Sequence, residues 1–436
     1  MREHSLIEAT AASPALHPDG DDAPLRFALL ETLREFGAEL LEETLGEDEA
    51  AVLRERHARH FLALAEEAEP HLFGPDPVPW LDRLEAERAN LHAALERSLA
   101  AGRHERSLEA ALRLLRPLAR FWRMRGHVGE GRRVYASLLA RVRQSASAAT
   151  TPALAQLEQK ALHFAGHLAN RQGDYGSARS LFEQGLRLSR EREDPKAAAD
   201  FLSGLGYVAM YQSDFAAARA HHEEALRLCE ANRDVISVGS VLYALGHLAD
   251  FEKKHDLART YFERALAVWG NHPEGQSGAR YALLNLGHGA RCTGDFGRAR
   301  SHYAESLRRF VQAGDRLGVA QALEGFASLI VTDQRTAPEG AARDAALWYG
   351  AAERLREAVG TPLPAFARAA LHEAPMNAAR AILGEAAFTG AWAEGRALPM
   401  EQAVGSALAE SASCTASDAG TNLTSEEAAA APTQAA

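Results

Sequence analysis

One sentence of residue types is repeated along the middle of this chain at a fixed interval, and that interval limits the fold more than any other property. It is clearest in Ala282 to Leu307, ALLNLGHGARCTGDFGRARSHYAESL. Leu286 and Gly287 sit in a first helix, Gly294-Asp295-Phe296 makes a turn, and Ala299, Tyr303 and Leu307 then recur at helical spacing. The same order occurs at Leu245-Gly246 with Ala258, Phe262 and Leu266, and at Leu205-Gly206 with Ala218, His222 and Leu226. It occurs again at Ala165-Gly166 with Gly173-Asp174-Tyr175, Ala178, Phe182 and Leu186. The alanine anchors fall at 178, 218, 258 and 299, giving a period of 40 to 41 residues. A period in this range means a stack of one supersecondary unit, each copy burying its apolar face only against its neighbours. The spacing therefore predicts an all-α fold, a right-handed superhelical solenoid of helix pairs.

The flanks are less regular. His4 to Thr10 reads as a short strand, Pro14 to Pro24 as a turn-rich loop, and Leu25 to Leu29 as a partner strand. Together they predict a short N-terminal β-hairpin running into a helix at about Glu31 to Thr44. Two strands bury too little to stand as a domain. Helical patterns cover Glu47 to Glu69 and Trp80 to Leu99. Ser107 to Met124 and His127 to Val142 form a degenerate copy of the repeat, with Gly126 at the turn and Trp122, Tyr135 and Leu139 at helix positions. Four clear repeats occupy about Leu154 to Ala313. A fifth begins at Leu317, is interrupted by Thr332 to Gly340, and resumes as Ala341 to Val359. Further helices are expected to about Leu408, and the Ala-, Ser- and Thr-rich run from residue 411 to 436 has nothing to bury and is expected to be disordered.

Composition excludes several classes. The 436 residues carry a formal net charge of -11, which opposes constitutive binding to nucleic acid or to an anionic membrane. Cys229, Cys292 and Cys414 lie far apart, so neither a disulfide framework nor a structural zinc site is expected; a cytoplasmic location fits that usage. No apolar run approaches the roughly 18 residues of a membrane span, and the N-terminus lacks a signal-peptide core.

Leu-Gly, then Gly-Asp-Tyr/Phe, then Ala, an aromatic residue and Leu, resembles the tetratricopeptide repeat, with a period longer than the usual 34 residues. That longer variant resembles the sensor arms of large bacterial signal-transduction ATPases and LuxR-like transcriptional regulators. The segment Arg26 to Phe36 resembles the end of their winged-helix domain. Trp80 to Glu85 with Asn90-Leu91 resembles their pre-repeat helix, and Tyr349 to Arg356 with Trp392 to Gly395 their closing segment. The resemblance implies a winged-helix remnant over 1–45, pre-repeat helices and a degenerate repeat over 46–143, repeats over 153–359, capping helices over 360–410, and a tail over 411–436. Family members place a nucleotide-binding P-loop before the winged helix, but Gly-Lys does not occur here, so ATP hydrolysis does not carry over. Two functions follow from the resemblance. One is a non-catalytic scaffold for protein or peptide binding or effector sensing in transcriptional regulation. The other is the sensor fragment of a split or truncated ATPase regulator that needs a separate nucleotide-binding or DNA-binding partner.

No enzyme constellation stands beside this reading. Gly204-Leu205-Gly206-Tyr207-Val208-Ala209 matches a dinucleotide fingerprint by letter, but it lies inside a helix and follows no strand. His163 and His167 are one helical turn apart, yet no carboxylate or cysteine completes a metal set, and no cofactor is expected. In tetratricopeptide geometry the first helix of each pair lines a groove with every third or fourth residue. Those positions give Arg113, Arg116, Arg120 and Arg123, then His163, His167 and Asn170. Tyr207 follows, then Tyr243, His247 and Asp250, and finally Tyr281, His288 and Arg291. Such a ladder suits an acidic peptide, a protein partner or a small anionic effector, because guanidinium forks match carboxylates and phosphates while Tyr and His pair apolar area with a polar tip. The same residues are also what the solvent-facing side of an amphipathic helix contains, with the arginines paired to Glu105 and Glu109.

Overall fold

The computed structural model describes residues 7–11, 25–29, 31–72, 77–100, 105–125, 127–145, 152–270, 272–333, 338–359 and 371–412. The expected disordered tail over 411–436 lies outside them from residue 413 onward, its first two residues instead ending the last helix with Ser411 buried; the loop at 12–24 and the segment 360–370 also lie outside. The chain divides into two compact units, Met1–Leu188 and Ser189–Ala436. No described helix is long and apolar enough to cross a membrane.

In the first unit, β1 (Ile7–Ala11) pairs antiparallel with β2 (Leu25–Leu29) in the register Ile7 to Leu29. Helix α1 (Glu31–Leu72) is broken at Gly46, whose φ of 75° only glycine adopts without strain. Then come α2 (Val78–Ala86), α3 (Arg88–Ala100), α4 (Glu105–Arg125), α5 (Val128–Ser145), α6 (Pro152–Arg171) and α7 (Tyr175–Glu191), the last ending just past the division. Phe121, Trp122 and Tyr135 are fully buried here, and the Tyr135 hydroxyl donates to the Leu115 carbonyl at 3.1 Å. That bond meets the usual demand of a buried tyrosine for a partner.

The second unit shows why the period is 40. Helices α8 (Pro195–Tyr211), α9 (Phe215–Ala231), α10 (Val235–Phe251), α12 (Gln276–Cys292), α13 (Phe296–Gln312) and α14 (Arg316–Thr332) are each 17 residues long. Most joints are a three-residue turn, so one helix and one turn take 20 residues and a pair takes 40. At the end of α8 the Ser213 N–H donates to Met210 O, and the Asp214 N–H donates to Ala209 O at 2.9 Å. That is a Schellman ending, which needs a left-handed residue at Ser213 (φ 62°). Asp214 then caps the following helix by accepting from the Ala217 N–H. One residue thus closes one helix and opens the next. Left-handed residues mark this turn at Glu193, Ser213, Arg233, Lys253, Gly294 and Gly314. Capping aspartates follow at Asp194, Asp214, Asp234, Asp295 and Asp315.

The joint between α11 (His255–Gly270) and α12 departs from this plan. It has a 3-10 turn, Pro273–Gly275, and no side-chain cap, and it accounts for the one 41-residue interval. Trp269 fills it. The indole packs where a Cβ on Gly239, Gly275 or Gly278 would sit, and its Nε1 donates to Ile236 O at 3.2 Å.

Within each pair, a glycine of the first helix receives a ring from the second. A Cβ added at Gly246 would lie 2.5 Å from the Phe262 ring, at Gly287 2.6 Å from Tyr303, and at Gly206 2.4 Å from His222. Gly166 and Phe182 repeat the contact in the first unit. The Leu-Gly and aromatic positions of the repeat are therefore two halves of one contact, and the anchors Ala178, Ala218, Ala258 and Ala299 are buried beside them. His222 is the odd member. It is fully buried, and neither ring nitrogen has a hydrogen-bond partner among the described residues.

The C-terminal part packs differently. Helices α15 (Pro338–Ala358), α16 (Glu373–Leu383), α17 (Glu385–Ala397) and α18 (400–412) close onto α13 and α14. Gly350 of α15 meets the Trp392 carbonyl and Gly395 of α17 meets the Leu347 carbonyl, so these two helices nearly touch backbones. Two ion pairs are buried there. Arg300 donates to Asp333 at 2.6 Å, and Arg356 donates to both oxygens of Glu324 at 2.6 and 2.8 Å.

Candidate functional site

The candidate arginines of the first unit that are described form ion pairs or hydrogen bonds with α1, Arg113 and Arg116 at the surface. Arg113 forks onto both oxygens of Glu66, Arg116 pairs with Glu69 at 2.6 Å, and Arg120 donates to the Leu72 carbonyl at 2.6 Å. Three successive turns of α4 thus lie along the last turns of α1. The side chains of Arg123, Glu105 and Glu109 lie outside the described residues. On α6, the His163 and His167 rings are 4.5 Å apart and edge-on, and His167 packs 5.1 Å from Phe182. Burial lowers the His163 pKa to about 4, so this ring is neutral at ordinary pH. No group of three or more metal-ligating side chains occurs among the described residues. Asn170 leaves its Oδ1 without a hydrogen-bond partner there.

In the second unit α8, α10, α12 and α14 lie side by side, so their matching positions share one face. Tyr207 is half-buried, its ring 5.4 Å from His222. Tyr243 is the hub: its ring contacts His247 at 4.5 Å, Phe262 at 5.6 Å and Trp269 at 5.9 Å, and its hydroxyl accepts from Asn285 Nδ2 at 2.9 Å. Asn285 reaches from α12 to α10, so this bond ties two repeats together. Tyr281 donates from α12 to Asp315, the cap of α14, at 3.2 Å. His288 meets the Tyr303 hydroxyl through Nδ1 at 2.9 Å, and Arg291 donates to the Leu371 carbonyl at 3.3 Å.

Burial sets the charge of this face. It lowers His247 to about 4 and holds His288 well below the usual imidazole range, with Arg291 and His372 adding to the effect at His288. Burial raises Asp250 to about 6, opposed by His255, whose Nδ1 lies 3.3 Å from Oδ1. Near neutral pH the face therefore presents neutral imidazoles and phenols between Asp250 and Arg291. A cavity of about 540 Å³ opens beside it, lined by Asp250, His255, Phe262, Asn285 and His302 among others. The sequence pattern missed Asn285, although it lies four residues after Tyr281 and so on the same helix face. Trp269, Glu324 and Ser328 were missed as well, because their roles depend on which helices become neighbours.

Helix pairs joined in this way define a helical-repeat protein. Residues 197–270, spanning α8 to α11, match the family model described as the tetratricopeptide repeat. No curated protein matches the chain. Solved structures similar to it include BtubC (BKLC) from P. vanneervenii, at 22% identity and a TM-score of 0.45 over 52% of this chain and 91% of that one. The quorum sensor NprR from B. thuringiensis, in its apo form, is similar at 14% identity and a TM-score of 0.42 over 81% of this chain and 93% of that one. A signal transduction ATPase with numerous domains and a tetratricopeptide repeat sensor, from Pyrococcus horikoshii, is similar at 13% identity and a TM-score of 0.44. That match covers 93% of this chain and 63% of that one.

Proposed function

We propose that this chain is a non-catalytic tetratricopeptide-type scaffold, and that the face made by α8, α10 and α12 binds an extended peptide segment of a protein partner. The observation that carries this reading is the row Tyr207, Tyr243, His247, Asp250, Tyr281, His288 and Arg291. Its members are half-buried with part of each side chain at the surface, and most are held by groups behind or beside them, such as Phe262, Asn285, Tyr303 and Asp315. Side chains fixed before a ligand arrives lose little rotamer freedom on binding, which raises affinity without added area. Neutral imidazoles and phenols suit the alternating donors and acceptors of a peptide backbone. A small anionic effector fits less well, because Arg291 supplies the one permanent positive charge of the row. A right-handed winding of the repeats, a cytoplasmic setting and a role in transcriptional regulation or signalling belong to the same proposal.

The reading is tested by selecting peptides from a random 12-residue library on the full chain and titrating a labelled hit. His247→Gln and Arg291→Gln should each weaken binding by about tenfold, or 1.4 kcal/mol, while leaving the melting temperature within a few degrees. Unchanged affinity in both variants, or failure to select any peptide, overturns it. The alternative, a sensor fragment of a split or truncated ATPase regulator, rests on the resemblance at Arg26 to Phe36 and Tyr349 to Arg356. It predicts an in-frame P-loop in the genomic DNA upstream of Met1.

A further inference from the structure

Continuing the row by one more repeat leads to α14, where the matching residues are Gln321, Glu324, Ser328 and Val331. Two of these are not open. Glu324 is 3% exposed and Ser328 is fully buried, whereas Tyr243 and His247 in α10 are half-exposed. His372, itself 3% exposed, covers them. Its Nδ1 lies 2.9 Å from Ser328 Oγ, its Nε2 lies 3.8 Å from Glu324 Oε2, and its ring is 6.5 Å from His288 and 6.1 Å from Tyr349. The residue before it, Leu371, gives its carbonyl to Arg291. The chain therefore lays two consecutive residues of its own on this face. Both stand in the helical turn that opens α16; one is held through its backbone carbonyl and the next through its side chain, the two kinds of contact that a bound peptide offers.

The groups that receive His372 do not depend on it. Ser328 also meets the Tyr349 hydroxyl at 2.8 Å, and Glu324 keeps both bonds from Arg356. Among the described contacts these bonds join α14 to α15 without His372, so the receptacle persists when the imidazole leaves.

We propose that Leu371–His372 is an internal occupant of the peptide-binding face, and that it competes for Arg291, Ser328 and Glu324 with a partner segment carrying a backbone carbonyl followed by a histidine. This rests on the peptide-binding reading above and adds to it the partner's chemistry and a built-in competitor. An occupied face lowers apparent affinity by the fraction of molecules in which it is vacant.

The test uses the full chain and a labelled peptide copying residues 369–376, AALHEAPM. The peptide should bind the His372→Ala chain at least about tenfold more tightly than wild type, the factor expected if the internal segment occupies nine molecules in ten. Adding Ser328→Ala to His372→Ala should remove the gain. Equal affinity for wild type and His372→Ala overturns the proposal, as does binding that ignores Ser328→Ala or no binding to a folded His372→Ala chain. His372→Gln, which keeps a polar side chain at the helix start, replaces His372→Ala if the latter does not fold, with the same outcomes. The library peptide separates the two readings. Dependence on His247 and Arg291 without any tightening in the His372 variant sinks only the internal occupant, whereas independence from His247 and Arg291 sinks the face itself.

Discussion

The second unit builds its two halves with different chemistry. From α8 to α12 the contacts between helices are a glycine against a ring, with aspartate caps at most of the turns and no buried ion pair among the described residues. From α13 to α18 the same helical plan is locked by Arg300–Asp333 and Arg356–Glu324, with side chains 1 to 5% exposed. Apolar contacts are forgiving and additive, so a run of them can be extended by copying a unit. A buried ion pair is not, because either partner alone is a desolvated charge. In α10 the repeats leave this face position to the partly exposed Tyr243 and in α12 to the buried Leu284, while the closing helices place Glu324 there to fix a unique end.

The sharpest way to break this contrast is Glu324→Ala. It removes the carboxylate to which the buried Arg356 guanidinium donates twice and should cost about 3 to 5 kcal/mol by urea denaturation. Hydrogen exchange should rise first across 296–412 and later across 195–270; a uniform rise would mean that the two halves are one cooperative block. Next in size is a pair of substitutions on one helix. Gly287→Ala drives a methyl into Tyr303 and should destabilise by about 1 to 3 kcal/mol. Gly289→Ala meets nothing within 4 Å and should stabilise by about 0.5 to 1 kcal/mol. Calorimetric melting of both variants checks the sign, and equal signs would deny the glycine–ring contact its role.

A similarly small effect at neutral pH is expected from His222→Phe, which restores the ring found at Phe182 and Phe262. Burial lowers the His222 pKa to about 4, so the folded chain holds it neutral while the unfolded chain protonates it near 6.5. Its contribution is intact above pH 6.5 and is lost as the pH falls from there toward 4. The variant should gain about 1 kcal/mol at pH 7.5 by removing unpartnered polar atoms. Denaturation at pH 5 should show a wider gap, and a gap independent of pH would exclude this histidine as an acid-sensitive point.

Much of the repeat was legible because glycine and aromatic residues announce themselves. Leu-Gly, the ring sixteen residues after the glycine, and Gly-Asp-Tyr/Phe name the contact and two of the turns. The 20-residue beat beneath the 40-residue period was hidden. The same left-handed turn is made by Glu193, Ser213, Arg233 and Lys253, whose residue types do not advertise a positive φ. The candidate face was legible as a set of positions and not as a set of partners. The arginines of α4 find α1, Asn285 finds Tyr243, and Leu371–His372 finds Arg291 and Ser328, all through contacts between residues 42 to 80 apart, in helices whose pairing no local pattern encodes.

Trp269 turns the one irregular joint into an optical landmark. The chain's other tryptophans lie in the first unit, at Trp80 and Trp122, or in the closing helices, at Trp348 and Trp392. Fluorescence from this indole alone would report on the middle of the array. The residue is 4% exposed and its Nε1 donates within the protein, to the Ile236 carbonyl. Loosening between α10 and α12 would therefore shift its emission to the red before either end of the unit had changed colour.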